Sequence, residues 1–191
     1  TGNGRCNVTN NRDKEEIISH IPGNGRFLYS AFYQYDNYDI MKFFRSNGIA
    51  LKEEDHGRMF PTTDKSRTIV EALKRIMEEK HIEVFLKAPV DTVLYEDGKT
   101  KGVRLQDGRT LLAASVILST GGRAMPKTGS TGDGYQWAKK AGHTLKPLYP
   151  TEVPVTSDEP FIVDRVLQGL ALRDANLSVL NKKGKAAISH R

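Results

Sequence analysis

The feature that most constrains the fold is a glycine-rich loop between an apolar segment and a helical segment, within residues 114–143. The apolar residues 116–118 lack polar alternation, which predicts a strand covered on both faces, as in a layered α/β sheet. Gly121 and Gly122 follow this strand, and the loop 128–134 (TGSTGDG) then leads into a helix. Bare backbone N–H groups ahead of a helix N-terminus favour an anionic ligand such as a phosphate.

Asp133 lies at the end of this loop, and its carboxylate has two candidate roles. It can cap the following helix, or it can bond a hydroxyl of a ligand. The sequence alone leaves both roles open. Because ligands of open α/β sheets bind beyond the carboxyl ends of the strands, Ser119, Thr120, Gly121 and Gly122 are expected beside Asp133 at one site.

Hydrophobic periodicity divides the rest of the first 150 residues into a helical part and a strand part. Helical spacing predicts helices over residues 15–21, 26–35, 39–46 and 62–80, the last beginning at Thr63 or Asp64. Alternation predicts strands over residues 49–53, 82–86, 90–95, 102–106 and 110–112, with Asp97-Gly98 and Asp107-Gly108 as hairpin turns. The sequence therefore predicts an α/β fold with an antiparallel β-meander inserted before the central strand.

A change of composition near residue 150 predicts a domain boundary. Residues 146–155 are extended in pattern and contain three prolines. We therefore expect one domain over residues 1–150 and the start of a β-rich insert or substrate domain over residues 151–191. The strands of this second part are predicted over residues 167–172, 175–181 and 186–189, with Lys183-Gly184 as a turn.

Composition and charge exclude several classes of function. No apolar run approaches the length of a membrane span. The single cysteine, Cys6, rules out an internal disulfide and fits a reducing, cytoplasmic location. The net charge is +6, but no basic helix face is interleaved with aromatic residues, so nucleic acid is a disfavoured partner. Neither a Walker motif nor a metal-ligand spacing is present.

The first twelve residues, TGNGRCNVTNNR, admit two interpretations. They form either a disordered tail or a binding loop rich in hydrogen-bond donors. The chain begins without Met and in the manner of a loop, so we expect a fragment of a longer protein. Further along, His56 and Arg58 flank a glycine in a predicted turn, where such side chains are usually solvated.

Four motifs occur in order and carry a resemblance. They are residues 4–10 (GRCNVTN), 57–61 (GRMFP), 119–122 (STGG) and 128–135 (TGSTGDGY), closed by Gly142-His143. Together they resemble a bacterial family of NAD(P)/FAD-dependent oxidoreductases of the aminoacetone-oxidase type, flavoproteins with two dinucleotide-binding-type domains. The resemblance covers essentially the whole chain and implies a partial FAD-binding Rossmann-like domain.

The resemblance implies FAD as the cofactor and leaves the use of NAD(P)H open. The loop expected beside the pyrophosphate and ring system contributes Gly4, Arg5, Cys6, Asn7 and Thr9. The remaining implied contacts are the backbone of Val90 with the adenine, Thr120, Gly121 and Gly122 with the dinucleotide, and Asp133 with a ribose or ribitol hydroxyl. Arg58 is implied on the substrate side.

The resemblance also implies that an N-terminal GxGxxG unit and a C-terminal half lie outside these residues. We therefore expect the isolated chain to bind FAD poorly, and its uncovered sheet edge to favour a homodimer. Because hydride chemistry belongs to the flavin, no catalytic side chain is predicted, and the substrate is expected to be an unidentified small molecule. The alternative is a non-enzymatic α/β module that binds a phosphate-bearing ligand or RNA.

Overall fold

The computed structural model describes residues 4–150, 156–170 and 175–190. They belong to two compact units, with the division between Leu148 and Tyr149. In the described ranges no helix has the length and apolar character needed to cross a bilayer.

The first unit begins with three short helices that local signals define. Helix α1 is Lys14–Ser19, and its first turn is capped by Asp13, whose carboxylate accepts a 3.0 Å hydrogen bond from the Glu15 N–H. A 3₁₀ turn, Gly25–Leu28, leads into α2, Tyr29–Gln34. Helix α3, Asn37–Ser46, starts at a reciprocal capping box. The helices predicted over 15–21, 26–35 and 39–46 are confirmed within a few residues at each end.

Helix α4 is Ser66–Glu79, and the predicted start at Thr63 or Asp64 is wrong by two to three residues. Asp64 has a left-handed backbone, with φ at 55°, and its N–H donates to the Pro61 carbonyl at 2.9 Å. Residues 61–64 therefore form a tight turn ahead of the helix. The turn brings the Asp64 carboxylate back toward the preceding strands.

A small antiparallel sheet lies beneath these helices. Its strands are β1 (Thr9–Asn10), β2 (Leu51–Glu53) and β3 (Arg58–Pro61), in the spatial order β1-β3-β2. Helix α3 contacts β1 and β2, and α4 contacts β3. The buried apolar side chains of these elements, which form the core here, are Met41, Phe44, Met59, Phe60, Ile69, Ala72 and Ile76.

The predicted β-meander is confirmed. Strands β4 (Val90–Glu96), β5 (Lys99–Leu105) and β6 (Thr110–Leu112) pair in the order β4-β5-β6, and every pairing is antiparallel. Asp97 and Gly98 both have positive φ, at 50° and 71°, which is the geometry of the type I′ turn that an Asp-Gly pair favours.

The two strands predicted over residues 82–86 and 116–118 are not formed. Their apolar side chains are largely exposed: Leu86 is 82% exposed and Ile117 is 89% exposed. A strand needs a neighbour for its backbone hydrogen bonds, and no described strand pairs with either segment. The described residues accordingly contain no parallel sheet, and the α/β class rests here on helices and antiparallel sheets.

The glycine-rich loop is followed by α5, Asp133–Lys140, as predicted. In the second unit, a short helix α6, Pro160–Val163, precedes a hairpin of β7 (Leu177–Leu180) and β8 (Ala186–His190). The hairpin confirms the strands predicted over 175–181 and 186–189. The strand predicted over 167–172 is wrong for 167–170, where residues 167–169 form a turn and residue 170 has no regular structure, and residues 171–172 lie outside the described residues.

Candidate functional site

The loop over residues 4–10 is held against β3 by backbone hydrogen bonds. The Val8 N–H donates to the Met59 carbonyl at 2.8 Å, and the Asn11 N–H donates to the Gly57 carbonyl at 2.7 Å. Thr9 lies opposite Met59 in the strand register. The interpretation of this segment as a disordered tail is therefore wrong for residues 4–12.

The tip of this loop presents open backbone. A side chain on Gly4 would meet no atom within 4 Å. Cys6 has a left-handed backbone, with φ at 66°, and carries a free, partly buried thiol. A non-glycine residue in this conformation is uncommon and persists where surrounding contacts fix it.

The side chain of Arg5, the residue before Cys6, is bonded to two carboxylates. Its Nε donates to Asp64 Oδ1 at 3.1 Å, and its terminal nitrogen is shared between Asp64 and Glu54. Lys52 completes the group, with Nζ 2.5 Å from Asp64 Oδ2 and 3.4 Å from Glu54 Oε1. We call these four residues the Arg5 cluster.

Electrostatics within the Arg5 cluster favour the charged form of every member. Hydrogen bonds from Lys52 and then Arg5 lower the pKa of Asp64, and those from Arg5 lower the pKa of Glu54. Hydrogen bonds to Asp64 raise the pKa of Lys52, and those to Glu54 and Asp64 raise the pKa of Arg5. Two cations and two anions therefore persist together near neutral pH.

Phe60 connects this cluster to Arg58. The guanidinium carbon of Arg5 lies 4.3 Å from the centre of the Phe60 ring, and that of Arg58 lies 5.4 Å from it. Arg58 also pairs with the Asp55 carboxylate and remains partly exposed. The structure thus brings the predicted substrate-side Arg58 next to the predicted cofactor loop.

A second group of predicted residues surrounds the start of α5. Gly134 lies so close to residue 120 that an added Cβ would be 2.4 Å from Thr120 Oγ1. A Cβ on Gly122 would be 3.2 Å from the Tyr135 hydroxyl, whereas one on Gly121 would meet only Ser130, at 4.0 Å. The segment 118–122 therefore packs on the first turn of α5, and the absence of a side chain at Gly134 permits that approach.

Asp133 is the first residue of α5, and the N-cap position belongs to Gly132, whose φ is 85°. Gly132 has no side chain to cap the helix, so the first amides of α5 lack a side-chain acceptor from that residue. Within the described ranges, no hydrogen bond or ion pair engages the Asp133 carboxylate. Of the two roles predicted for Asp133, helix capping is thus not the one seen.

Val90 joins this second group through its neighbour. The Trp137 Nε1–H of α5 donates to the Asp91 carbonyl at 3.1 Å, which ties the helix to the first residues of β4. Trp137 is 9% exposed. No hydrogen bond between described residues links the loop 4–10 with residues 118–134, so the structure assembles the predicted site as two separate groups.

Several residues at these two groups were not predicted from the sequence as site residues. They share contacts with partners distant along the chain, and they are Lys52, Glu54, Phe60, Asp64 and Trp137. Lys52 and Glu54, two residues apart at the end of β2, were the available signal for an ion pair. Among the described residues, no group of His, Cys, Asp or Glu side chains is arranged to hold a metal ion.

Comparison with known families decides the classification. The sequence profile of the HI0933-like protein Rossmann domain matches residues 1–186. The chain belongs to this family. The match confirms the predicted α/β, Rossmann-like class, and it confirms the resemblance at the level of the wider group of FAD-dependent oxidoreductases. The narrower aminoacetone-oxidase type stays a prediction.

Curated relatives of this family member are enzymes. A 3-dehydro-bile acid delta(4,6)-reductase of Clostridium scindens is 30% identical over 154 residues, which are 80% of this chain and 36% of the relative. A ribosomal RNA dihydrouridine synthase of Haemophilus influenzae is 30% identical over 175 residues, 90% of this chain and 43% of the relative. Its Escherichia coli counterpart is 29% identical over 174 residues, 90% of this chain and 42% of the relative. The chain spans less than half the length of these relatives.

Proposed function

We propose that this chain is part of an FAD-dependent oxidoreductase. The observation that carries the proposal is the N-terminus of α5, where Gly132 leaves the amides of Asp133 and Gly134 without a side-chain cap and Asp133 has a carboxylate without a described partner. Free backbone donors suit a phosphate, and a free carboxylate suits a sugar hydroxyl. Membership of the HI0933-like family supports the same assignment.

The residues that would hold FAD fall into the two groups described above. We assign the open backbone of the first loop to the pyrophosphate and ring system, through Gly4, Cys6, Asn7 and Thr9, with Arg5 behind it. We assign the second group to the rest of the dinucleotide. The backbone of Val90 would contact the adenine, and Asp133 would bond a ribose or ribitol hydroxyl. The remaining contacts with the dinucleotide would come from Thr120, Gly121 and Gly122. When bound, FAD supplies the hydride chemistry.

The substrate class that we propose is a carbon–carbon double bond conjugated to a carbonyl. One relative is named as a reductase of a 3-dehydro, delta(4,6) bile acid, and two others as synthases of dihydrouridine in ribosomal RNA. Both names describe the addition of two hydrogens to such a bond, because uridine carries its double bond next to a ring carbonyl. This shared chemistry favours a reductase over an oxidase.

Arg58 is the residue that we place on the substrate side. Hydride addition to a conjugated double bond moves negative charge onto the carbonyl oxygen, and a nearby guanidinium stabilises that charge. Arg58 is partly exposed and lies next to the first loop through Phe60. We assign no side chain to the proton transfer that completes the reduction.

The test uses the full-length protein that contains this chain. It is purified and examined for bound flavin by its visible spectrum. After anaerobic reduction, the flavin is mixed with a cyclic enone, with a uridine-containing RNA, or with the saturated analogue of the enone as control. Reoxidation by the enone or the RNA and not by the saturated analogue supports the proposal. A protein that neither contains nor takes up flavin would contradict it.

Finer proposals use the same assay. If NAD(P)H is the electron donor, it bleaches the bound flavin under anaerobic conditions. A flavin spectrum that NAD(P)H does not change points to another donor. If the protein is an oxidase of the aminoacetone type, aminoacetone bleaches the flavin and oxygen restores its colour. We propose the cytoplasm as the location, where reduced nicotinamides and a free Cys6 thiol are both maintained.

A further inference from the structure

We propose that Arg5 is a positioning residue, which fixes the cofactor loop from behind and does not bind a phosphate of the cofactor. The resemblance places Arg5 among the cofactor contacts, and an arginine near a pyrophosphate is ordinarily taken as its ligand. The inference rests on the proposed flavin site and assigns a role within it. It also gives Glu54 and Asp64 the role of holding Arg5.

The hydrogen bonds of Arg5 are directed to carboxylates. Its Nε and one terminal nitrogen bond Asp64, and that terminal nitrogen also bonds Glu54. One face of the guanidinium lies 4.3 Å from the centre of the Phe60 ring. A phosphate approaching Arg5 would have to displace these carboxylates or add a further anion beside them.

The charge of the cluster also argues against a phosphate ligand. Arg5 and Lys52 contribute two positive charges, and Glu54 and Asp64 contribute two negative charges, all within direct ion-pair contact. The sum is zero. A phosphate site needs an excess of positive charge or free backbone donors, and the Arg5 cluster offers no such excess.

The position of Arg5 in the chain explains what the cluster does. Arg5 immediately precedes Cys6, whose φ of 66° is uncommon for a residue with a side chain. On the other side, the Val8 N–H is bonded to the Met59 carbonyl at 2.8 Å. The two residues between these anchors, Cys6 and Asn7, are therefore held at both ends. We infer that the cluster keeps them in the conformation in which they meet the flavin.

The two possible roles of Arg5 predict opposite effects for Asp64→Asn. If Asp64 only competes with a phosphate for Arg5, removing its charge frees the guanidinium and tightens FAD binding or leaves it unchanged. If Asp64 positions Arg5, the same change loosens the loop and weakens FAD binding. For partly exposed ion pairs we expect the weakening to be about fivefold.

The experiment measures the FAD dissociation constant of the encoded protein by the fluorescence of released FAD. The variants are Asp64→Asn, Arg5→Gln, their combination, and Glu54→Gln as a second carboxylate in case Asp64→Asn does not fold. Asp64→Glu keeps the charge and is expected to restore most of the affinity. Glu71→Gln, which breaks the exposed Arg67–Glu71 pair of α4, is the matched control and should have no effect.

Comparable weakening in both single variants, with no further loss in their combination, supports the proposal because residues of one network are not additive. Weakening by Arg5→Gln alone, with Asp64→Asn neutral or tighter, overturns it. A second readout needs no flavin: trypsin cleavage after Arg5 should be about fivefold faster in Asp64→Asn than in Glu71→Gln if the guanidinium is released.

The two proposals fail in different ways. A wild-type protein that takes up no FAD contradicts the proposed function, and with it the flavin-related part of this inference. Cleavage after Arg5 then decides the remaining part, because equal rates in Asp64→Asn and Glu71→Gln overturn the positioning role whether or not flavin binds.

Discussion

The indole nitrogen of Trp137 donates a 3.1 Å hydrogen bond to the main-chain carbonyl of Asp91. This contact joins the helix that follows the glycine-rich loop to the first residues of the β-meander, 46 residues earlier in the chain. It links β4, which begins at Val90, to α5, which begins at Asp133, and we assign these two residues to opposite parts of one dinucleotide. We therefore expect Trp137 to influence the spacing of these two residues.

Replacing this indole by a ring that cannot donate tests its structural role. In Trp137→Phe the Asp91 carbonyl loses its partner at a largely buried position, and we expect a loss of about 1–2 kcal/mol in the free energy of unfolding. Urea denaturation followed by circular dichroism measures this loss. Tyr38→Phe, at an exposed ring, is the control, and an equal effect in both variants would contradict the assignment.

The close approach of Gly134 to Thr120 predicts a steric effect. In Gly134→Ala the added Cβ would lie 2.4 Å from Thr120 Oγ1, so the segment or the helix must shift. We expect a loss of about 1–3 kcal/mol, typical of overpacking, in the free energy of unfolding. Adding Thr120→Ala removes the oxygen concerned and should recover most of that loss. If the double variant is as unstable as Gly134→Ala, another contact is responsible.

Asp133 is expected to act on ligand binding and not on folding. Since its carboxylate has no described partner, Asp133→Ala should leave the melting temperature nearly unchanged. Losing a charged hydrogen bond to a sugar hydroxyl should weaken FAD binding about tenfold. Flavin occupancy after gel filtration and the melting temperature of the apoprotein measure the two effects. Unchanged flavin occupancy would contradict a contact of Asp133 with the cofactor and would favour a role at the N-terminus of α5.

Acid is expected to destabilise the protein partly through the Arg5 cluster. The pKa values of Asp64 and Glu54 lie below their ordinary values of 3.8 and 4.5. Below those ordinary values these two carboxylates bind protons in the unfolded chain but stay ionised in the folded chain. The stability that they contribute at neutral pH is therefore lost as the pH falls further. Asp64→Asn combined with Glu54→Gln should therefore be less stable at pH 7 and lose stability less steeply below about pH 4.5. Parallel stability curves for wild type and variant would contradict this.

The exposed apolar segments 82–86 and 116–118 predict self-association of the 191-residue chain. Large exposed apolar stretches with unpaired backbone favour pairing with a second copy. We expect the sedimentation coefficient to rise with protein concentration, and Ile117→Lys to reduce that rise. Because Ile117 is 89% exposed, the substitution should change the monomer's stability by less than about 0.5 kcal/mol. A monomer at every concentration would contradict the predicted homodimer.

What the sequence predicted well was set by neighbours along the chain. The Asp97-Gly98 turn depends on four residues or fewer, so its residue types are a sufficient signal. The glycine-rich loop and the helix after it were predicted for the same reason. These local signals also identified the open backbone that we assign to the cofactor.

What the sequence could not predict depends on distant partners. Residues 116–118 have the composition of a buried strand, yet no described strand lies beside them, and a strand without a neighbour does not form. The contact of Arg5 with Asp64 joins residues 59 apart, and no local pattern indicates it. The sequence suggested a loop with many donors, whereas the structure shows which of those donors are already used.

The register of the four-residue strand β3 decides which of its side chains face Arg5. Successive side chains of a strand point to opposite faces, so a slip of one residue between β1 and β3 would exchange the places of Met59 and Phe60. The aromatic ring would then leave the guanidinium of Arg5, and Arg58 would move away from the first loop. A mispaired β3 would thus separate Arg58 from the loop that we assign to the flavin, in a protein whose helices were otherwise intact.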